Sequence, residues 1–202
     1  MNILLLDTET APHSAYVWGL RKQNVAINQI INSGELLCYA SKWYDNDEIT
    51  FDSVMKSQKR HMLQRLARDL KKADVVVHYN GHKFDMPVIN SEFIRNHVPP
   101  VLSYNHVDLL KVVRQHFRFP SNKLDYVAQA LGLGSKEKHE GFELWVKCMQ
   151  RDIEAWKKME QYNVQDVVLL EKLYDVLLPW IISTPSRGIT KVLRDQLAKS
   201  VE

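Results

Sequence analysis

The run Ile3-Leu4-Leu5-Leu6-Asp7-Thr8-Glu9-Thr10 decides how the rest of the chain is read. With no polar alternation before Asp7, it predicts a strand over residues 2–7 that is central to a sheet and buried on both faces. Asp7 and Glu9 stand two apart at the expected strand end. Period-two geometry puts their carboxylates on one side of the sheet, where they can share a cation. A D-x-E triplet is common, and the plainer alternative is that Asp7 opens a turn and Glu9 faces water.

Further along the chain, β-branched and aromatic residues recur from Glu35 to Trp43 and from Glu48 to Val54, between breaks at Ser33-Gly34 and Asp45-Asn46-Asp47. These are two further strands. Met62, Leu63, Leu66, Ala67 and Leu70 then repeat at helical spacing, giving an amphipathic helix over 56–72, and Val75 to His78 returns to strand. Asn80-Gly81 makes a turn, and Pro87 suits the first turn of a helix reaching Asn96. Val101 to Val107 is a last strand. Asp108 can cap a helix through His116, and Ser121 or Asn122 can cap another that stops at Gly132. Helices follow over 141–149 and 152–178, where Pro179 is expected to end the latter, and a short helix closes the tail. Strands early, helices interleaved and then helices alone predict an α/β domain over 1–178, a mixed sheet flanked by helices, with 179–202 as a C-terminal helical tail.

Composition narrows the function. The 202 residues carry 27 Lys+Arg against 24 Asp+Glu, a net charge of +3, with 45% hydrophobic and 25% charged residues, which excludes disordered, collagen-like and disulfide-scaffold classes. A chain this long buries roughly 70% of its unfolded surface, so a metal would serve function and not folding. Cys38 and Cys148 form no CxxC pair, which suggests a reducing, cytoplasmic setting and argues against structural zinc. Ile3 to Leu6 is too short for a signal core or a membrane span, which needs about 20 apolar residues, so no membrane is expected.

Two more acids sit in apolar surroundings. Asp85 lies between Phe84 and Met86, where capping a Pro-started helix, worth roughly 1 kcal/mol, competes with a catalytic role. Asp166 follows Tyr162 by four residues, so phenol and carboxylate share a helix face with Met159, Leu169, Leu170 and Leu173. A buried carboxylate there costs several kcal/mol unless it is paired, protonated or metal-bound. No Lys or Arg on that face neutralises it, and a partner from elsewhere in the fold is the alternative. If Asp7, Glu9, Asp85 and Asp166 converge, each pair about 4 Å apart repels by about 1 to 4 kcal/mol. Such a cluster needs divalent cations, and all-oxygen ligands select Mg²⁺ or Mn²⁺, which take phosphate oxygens as further ligands.

Leu6-Asp7-Thr8-Glu9-Thr10, Asn80-Gly81-His82-Lys83-Phe84-Asp85-Met86-Pro87 and Tyr162-Asn163-Val164-Gln165-Asp166 resemble, in order, the three motifs of the DEDD 3′-to-5′ exonucleases. Tyr162 places the resemblance in the DEDDy branch, and the second motif is especially similar to that of the proofreading domain of family B DNA polymerases. The resemblance implies a ribonuclease-H-like fold, with Asp7, Glu9, Asp85 and Asp166 as ligands of two Mg²⁺ or Mn²⁺ ions and Tyr162 near the attacking water. It also implies release of nucleoside 5′-monophosphates from the 3′ end of single-stranded DNA or RNA, in proofreading or repair, with a DNA polymerase as a partner. The chain departs from that family in lacking polymerase palm, fingers and thumb, and in the less familiar insert from Ala11 to Gly34.

Tyr16 and Trp18 in that insert can stack terminal bases, or pack beneath the loop. Arg114, Arg118 and Lys123, with Lys111 and His116, bracket a helix end where Phe117 and Phe119 interleave with positive charge, favouring single-strand contact. Asn80, Lys83 and Phe84 of the second motif are further candidates for contact with nucleic acid. The basic 56–72 helix can hold phosphates but more often such a face is simply solvated. The competing functions are a structure-selective endonuclease and a non-catalytic nucleic-acid binder beside a polymerase.

Overall fold

The computed structural model describes residues 1–102, 104–137 and 140–183. Five strands form one mixed sheet in the order β5-β4-β1-β6-β7. The central strand β1 (Ile3–Thr10) pairs antiparallel with β4 (Leu36–Trp43), which pairs antiparallel with β5 (Ile49–Ser53). On its other side β1 runs parallel to β6 (Val75–His78), and β6 parallel to β7 (Asn105–Asp108). The α/β expectation holds. β1 does not stop at Asp7, because Thr8 and Thr10 are β-formers and the ladder with β4 continues through Glu9 opposite Cys38. β7 is shorter than predicted because its partner β6 offers only the positions from Val75 to His78.

Helices cover both faces. α1 (Lys59–Lys72) and α2 (Asp85–Arg95) lie on the face where Leu4, Leu6 and Val76 pack with Leu63, Leu66, Ile89 and Phe93. α3 (Leu109–His116), α4 (Leu124–Ala130) and α6 (Ile153–Ser183) cover the other, where Ile3, Leu5, Val75 and Val77 meet Val113, Val127, Leu170 and Leu173. Strict alternation along β1 thus splits its apolar residues between two cores. A third cluster, Leu37 and Cys38 with Leu144, Cys148, Trp156 and Met159, packs α5 (Phe142–Met149) and the start of α6 against the start of β4.

Local details depart from the pattern reading for physical reasons. The amides of Lys56 and Ser57 turn back onto the Ser53 carbonyl, so α1 starts only at Lys59. Pro179 lies inside α6 and does not end it. Leu177, Leu178 and Ile181 remain buried against the core, and that packing outweighs a helix-interior proline's penalty of about 3 kcal/mol. The predicted tail therefore begins as helix continuous with the domain, and its expected last helix lies outside the described residues. The insert from Ala11 to Gly34 forms an arm made of β2 (Ser14–Ala15), a 3₁₀ turn at Ile27–Gln29 and β3 (Ile30–Asn32).

Candidate active site

Asp7 and Glu9 share the face of β1 that carries Ile3 and Leu5, so the strand that nucleates one core delivers two carboxylates at its far end. The pairing register slips between Glu9 and Thr10, the kind of irregularity that re-aims side chains beside functional sites. Asp166 reaches the same place from the core face of α6, with Tyr162 one turn earlier. Ligand oxygens of Asp7, Glu9 and Asp166 all lie within 4.8 Å of one another. The sequence expectation that residues remote in the chain converge is met for these three.

Asp85 arrives from the opposite layer. It is the first residue of α2 and not its cap, and its carboxylate accepts a hydrogen bond of 2.5 Å from the Thr8 hydroxyl on the other face of β1. Its charge is close enough to raise Asp7 and Glu9. The capping alternative for Asp85 is excluded. Gly81 explains why this junction tolerates no side chain. A Cβ there would lie 2.6 Å from the His78 ring and 2.9 Å from Asp85 Oδ2. His78, fully buried, accepts the Gly81 N–H on Nδ1 at 3.0 Å and so braces the turn that places Asp85.

Residues absent from the sequence reading complete the pocket. Lys136, in the loop before α5, donates to Asp166 Oδ2 at 2.5 Å and to the Tyr162 hydroxyl at 3.0 Å. It is the partner from elsewhere that Asp166 required. Asn163, fully buried, donates its amide to Asp7 Oδ2 at 2.6 Å, and the Trp145 indole donates to Glu9 Oε2 at 3.0 Å. Asn163 and Thr8 lay within the quoted motifs, where a polar residue next to a catalytic acid is a usable signal. Lys136 and Trp145 carry no periodic or motif signature.

Among the described residues, the pocket holds more negative charge than Lys136 offsets. Burial, followed by the charges of Asp166, Glu9 and Asp85, raises Asp7 well above the usual carboxylate range. Glu9 is pushed up to about 8, first by burial and then by Asp166. Asp85 and Asp166 are raised by burial as well, in Asp166 against the pull of Lys136 and the Tyr162 hydroxyl. Burial also raises Tyr162, which therefore keeps its proton at neutral pH. Oδ1 of Asp166 is buried without a hydrogen-bond partner among the described residues. Clustered carboxylate oxygens with an orphaned lone pair fit hard divalent ions, and a buried acidic set of this kind can hold one.

A cleft of about 550 Å³ opens from Asp7 and is lined by Tyr79, Asn80, Arg114, Asn122, Lys123 and Lys136. Asn80, at a positive φ of 67°, stands at its wall, while Lys83 and Phe84 are exposed on the adjoining turn. Arg118 instead turns back onto the carbonyls of Arg114 and Phe117 at the end of α3. Phe117 and Phe119 stack on each other at 5.7 Å and pack against the core and Trp180, so they do not interleave freely with the cations as expected. Of the basic helix, Lys59 pairs with Glu92 and Arg65 with Asp52, which makes part of that charge structural. Tyr16 and Trp18 do not pack beneath the arm but stand exposed on it. Asp108 accepts from the amides of Asn80 and Leu110, the capping role expected of it. No helix among the described residues is long and apolar enough to cross a membrane.

The RNase_H_2 family model, of the RNase_H superfamily, matches residues 32–178, opening just before β4. A DNA polymerase of Thermococcus litoralis is 26% identical over 191 residues, covering 82% of this chain and 11% of that polymerase. The structure of the family B DNA polymerase from the hyperthermophilic archaeon Pyrobaculum calidifontis matches over 98% of this chain and 27% of its own, with a TM-score of 0.69 and 20% identity, a likeness of fold. This chain spans only a minor part of either polymerase. With the family model matched along most of its length and a mixed sheet carrying paired acids on the central strand, the chain belongs to the RNase_H superfamily.

Proposed function

We propose that the protein is a metal-dependent 3′-to-5′ exonuclease that releases nucleoside 5′-monophosphates from single-stranded DNA. The observation that carries this reading is the convergence of Asp7, Glu9 and Asp166 within 4.8 Å, with Asp7 opening into a cleft whose wall carries Arg114, Lys123 and Lys136 beside Asp125. Asp7, Glu9, Asp85 and Asp166 would hold two Mg²⁺ or Mn²⁺ ions. Such a pair, when bound, supplies an activated water and neutralises the oxygen that leaves.

The chain's own groups divide the remaining work. Asn163 and Trp145 hold the carboxylates of Asp7 and Glu9 by N–H donation, so neither acid needs to reorganise. Tyr162 keeps its proton, so its role is to orient and donate, not to act as base. Lys136 balances Asp166 and leaves a cationic ammonium beside the place where a phosphate would sit. Arg114 and Lys123 on the cleft wall, with Asn80, Lys83 and Phe84 on the second-motif turn, would hold the phosphates and bases of the incoming 3′ end. That both similar proteins are DNA polymerases favours DNA over RNA and a setting of proofreading or repair beside a polymerase.

The test is degradation of 5′-labelled single-stranded DNA with Mg²⁺, Mn²⁺ or EDTA. Stepwise shortening of the labelled strand that requires the metal, and is abolished by Asp7→Ala and by Asp166→Ala while binding in EDTA survives, supports the reading. Discrete internal cuts would move the protein to the endonucleases, and unchanged activity in either variant removes that acid from the mechanism. Tyr162→Phe should lower turnover several-fold with little change in metal dependence. Full activity would remove the hydroxyl from the mechanism.

A further inference from the structure

We propose that the arm from Ala11 to Gly34 is a second contact surface for single-stranded nucleic acid, holding nucleotides several removed from the 3′ end in the acid pocket. The inference rests on the nuclease reading and adds to it a substrate class, long single strands as opposed to short oligonucleotides.

The first argument is place. The Ala11 N–H donates to the Glu35 carbonyl at 2.8 Å, which closes the arm's root at the end of β1, two residues beyond Glu9. A strand whose end lies among the acids passes that root. From Ala11 to Trp18 the chain can reach at most roughly 25 Å, which sets the outer limit on how many nucleotides from the scissile bond the tip can meet the strand.

The second argument is that the arm is built to stand open. Gln29 braces it from both ends, accepting the Ala26 N–H at 2.7 Å and donating to the Tyr16 carbonyl at 3.0 Å, while the Tyr16 N–H donates to the Gln29 carbonyl at 2.9 Å. Near the root, the Gly34 N–H donates to His13 Nδ1 at 2.8 Å. These bonds fix the backbone without a core, and they leave Trp18 100%, Leu20 98%, Ile27 89% and Tyr16 75% exposed. Apolar groups held out this way mark an interaction surface.

The third argument is charge, which selects the occupant. No acidic residue occurs between Thr10 and Glu35, whereas Arg21 and Lys22 stand exposed beside Trp18 and Leu20. Aromatic faces next to cations that have no ion-pair partner among the described residues suit a polyanion with flat apolar bases. An acidic protein would also satisfy the charge. Continuity with the pocket favours the strand, since the same ligand is already delivered to the arm's root.

The test measures anisotropy of fluorescent oligothymidylates of about 4 and about 15 nucleotides, lengths that bracket the shorter single-strand sites, in EDTA so that nothing is cleaved. Full-length wild type, Trp18→Ala and the double variant Arg21→Glu/Lys22→Glu are compared. Both variants should lose about tenfold in affinity for the long strand and leave the short one within about twofold, and the double variant should flatten the salt dependence. Metal-dependent release of mononucleotides from the short strand by the Arg21→Glu/Lys22→Glu variant should be unchanged. Unaltered long-strand affinity in both variants overturns the proposal, as does an equal loss on both lengths. Because this readout needs no turnover, it stays legible if the exonuclease reading fails, and a wild type that digests DNA while its arm variants bind normally sinks the arm alone.

Discussion

The acid pocket and the arm lie two residues apart along the chain and solve opposite problems. In the pocket, Asp7, Glu9, Asp85 and Asp166 are each held by a hydrogen bond from a different element: Asn163, Trp145, Thr8 and Lys136. In the arm, backbone and amide bonds fix the frame while Trp18, Leu20, Ile27 and Tyr16 stand exposed. One region pre-orders charge that only a cation makes tolerable, and the other presents surface that only a ligand covers. Changes in the pocket should therefore read out in metal affinity and turnover, and changes in the arm in strand affinity alone.

After loss of the acids themselves, the largest effect is expected from Lys136→Met, which keeps the stem and removes the cation paired with Asp166. Turnover should fall by about 10²–10³-fold, the usual loss for a buried electrostatic partner. Mn²⁺ affinity by calorimetry should hold or tighten, because a competing positive charge is gone. A loss of metal binding instead would make Lys136 a scaffold residue. Asn163→Leu keeps volume but not the donor to Asp7, and should weaken Mn²⁺ binding by about tenfold with little change in long-strand affinity. Unaltered Mn²⁺ binding would show that the amide only fills space.

A smaller effect is expected from pH. The pocket carboxylates hold their protons more tightly in the folded, metal-free protein than unfolded, so their contribution to stability is full below about pH 4 and is lost as pH rises to about 8, the value reached by Glu9. His78 acts the other way. Burial lowers it to about 3, so its neutral form favours the fold increasingly up to its ordinary value near 6.5. Between about pH 7 and about pH 8, below the ordinary range of the two buried thiols, the acids set the slope. Thermal unfolding in EDTA should then show Tm falling between about pH 7 and about pH 8, by about 2–4 °C for each kcal/mol lost. Mn²⁺ should remove the slope and Glu9→Gln should flatten it, whereas Trp18→Ala should leave it intact. A flat profile in EDTA would mean the acids do not crowd one another.

Much of this was legible along the chain. The apolar run into Asp7, the helical spacing of Tyr162 and Asp166, and the capping of α3 by Asp108 each follow from local periodicity or local hydrogen bonding. What was not legible depends on contacts between distant segments. Lys136 lies 30 residues from Asp166, Thr8 lies 77 from Asp85 and Trp145 lies 136 from Glu9. Pro179 fails to stop α6 for the same reason: its local rule is outweighed by the burial of Leu177, Leu178 and Ile181 against a core the local pattern does not contain.

The sequence by itself determined the sheet, the two-sided burial of its first strand and which acids sit where apolar residues belong, because alternation and helical period are properties of neighbouring residues. Only the tertiary structure decided that Asp7, Glu9 and Asp166 share one pocket, that a loop lysine answers Asp166, and that Tyr16 and Trp18 stand in solvent. Carboxylate repulsion and desolvation act through space, and the distances they depend on exist only once the layers are packed.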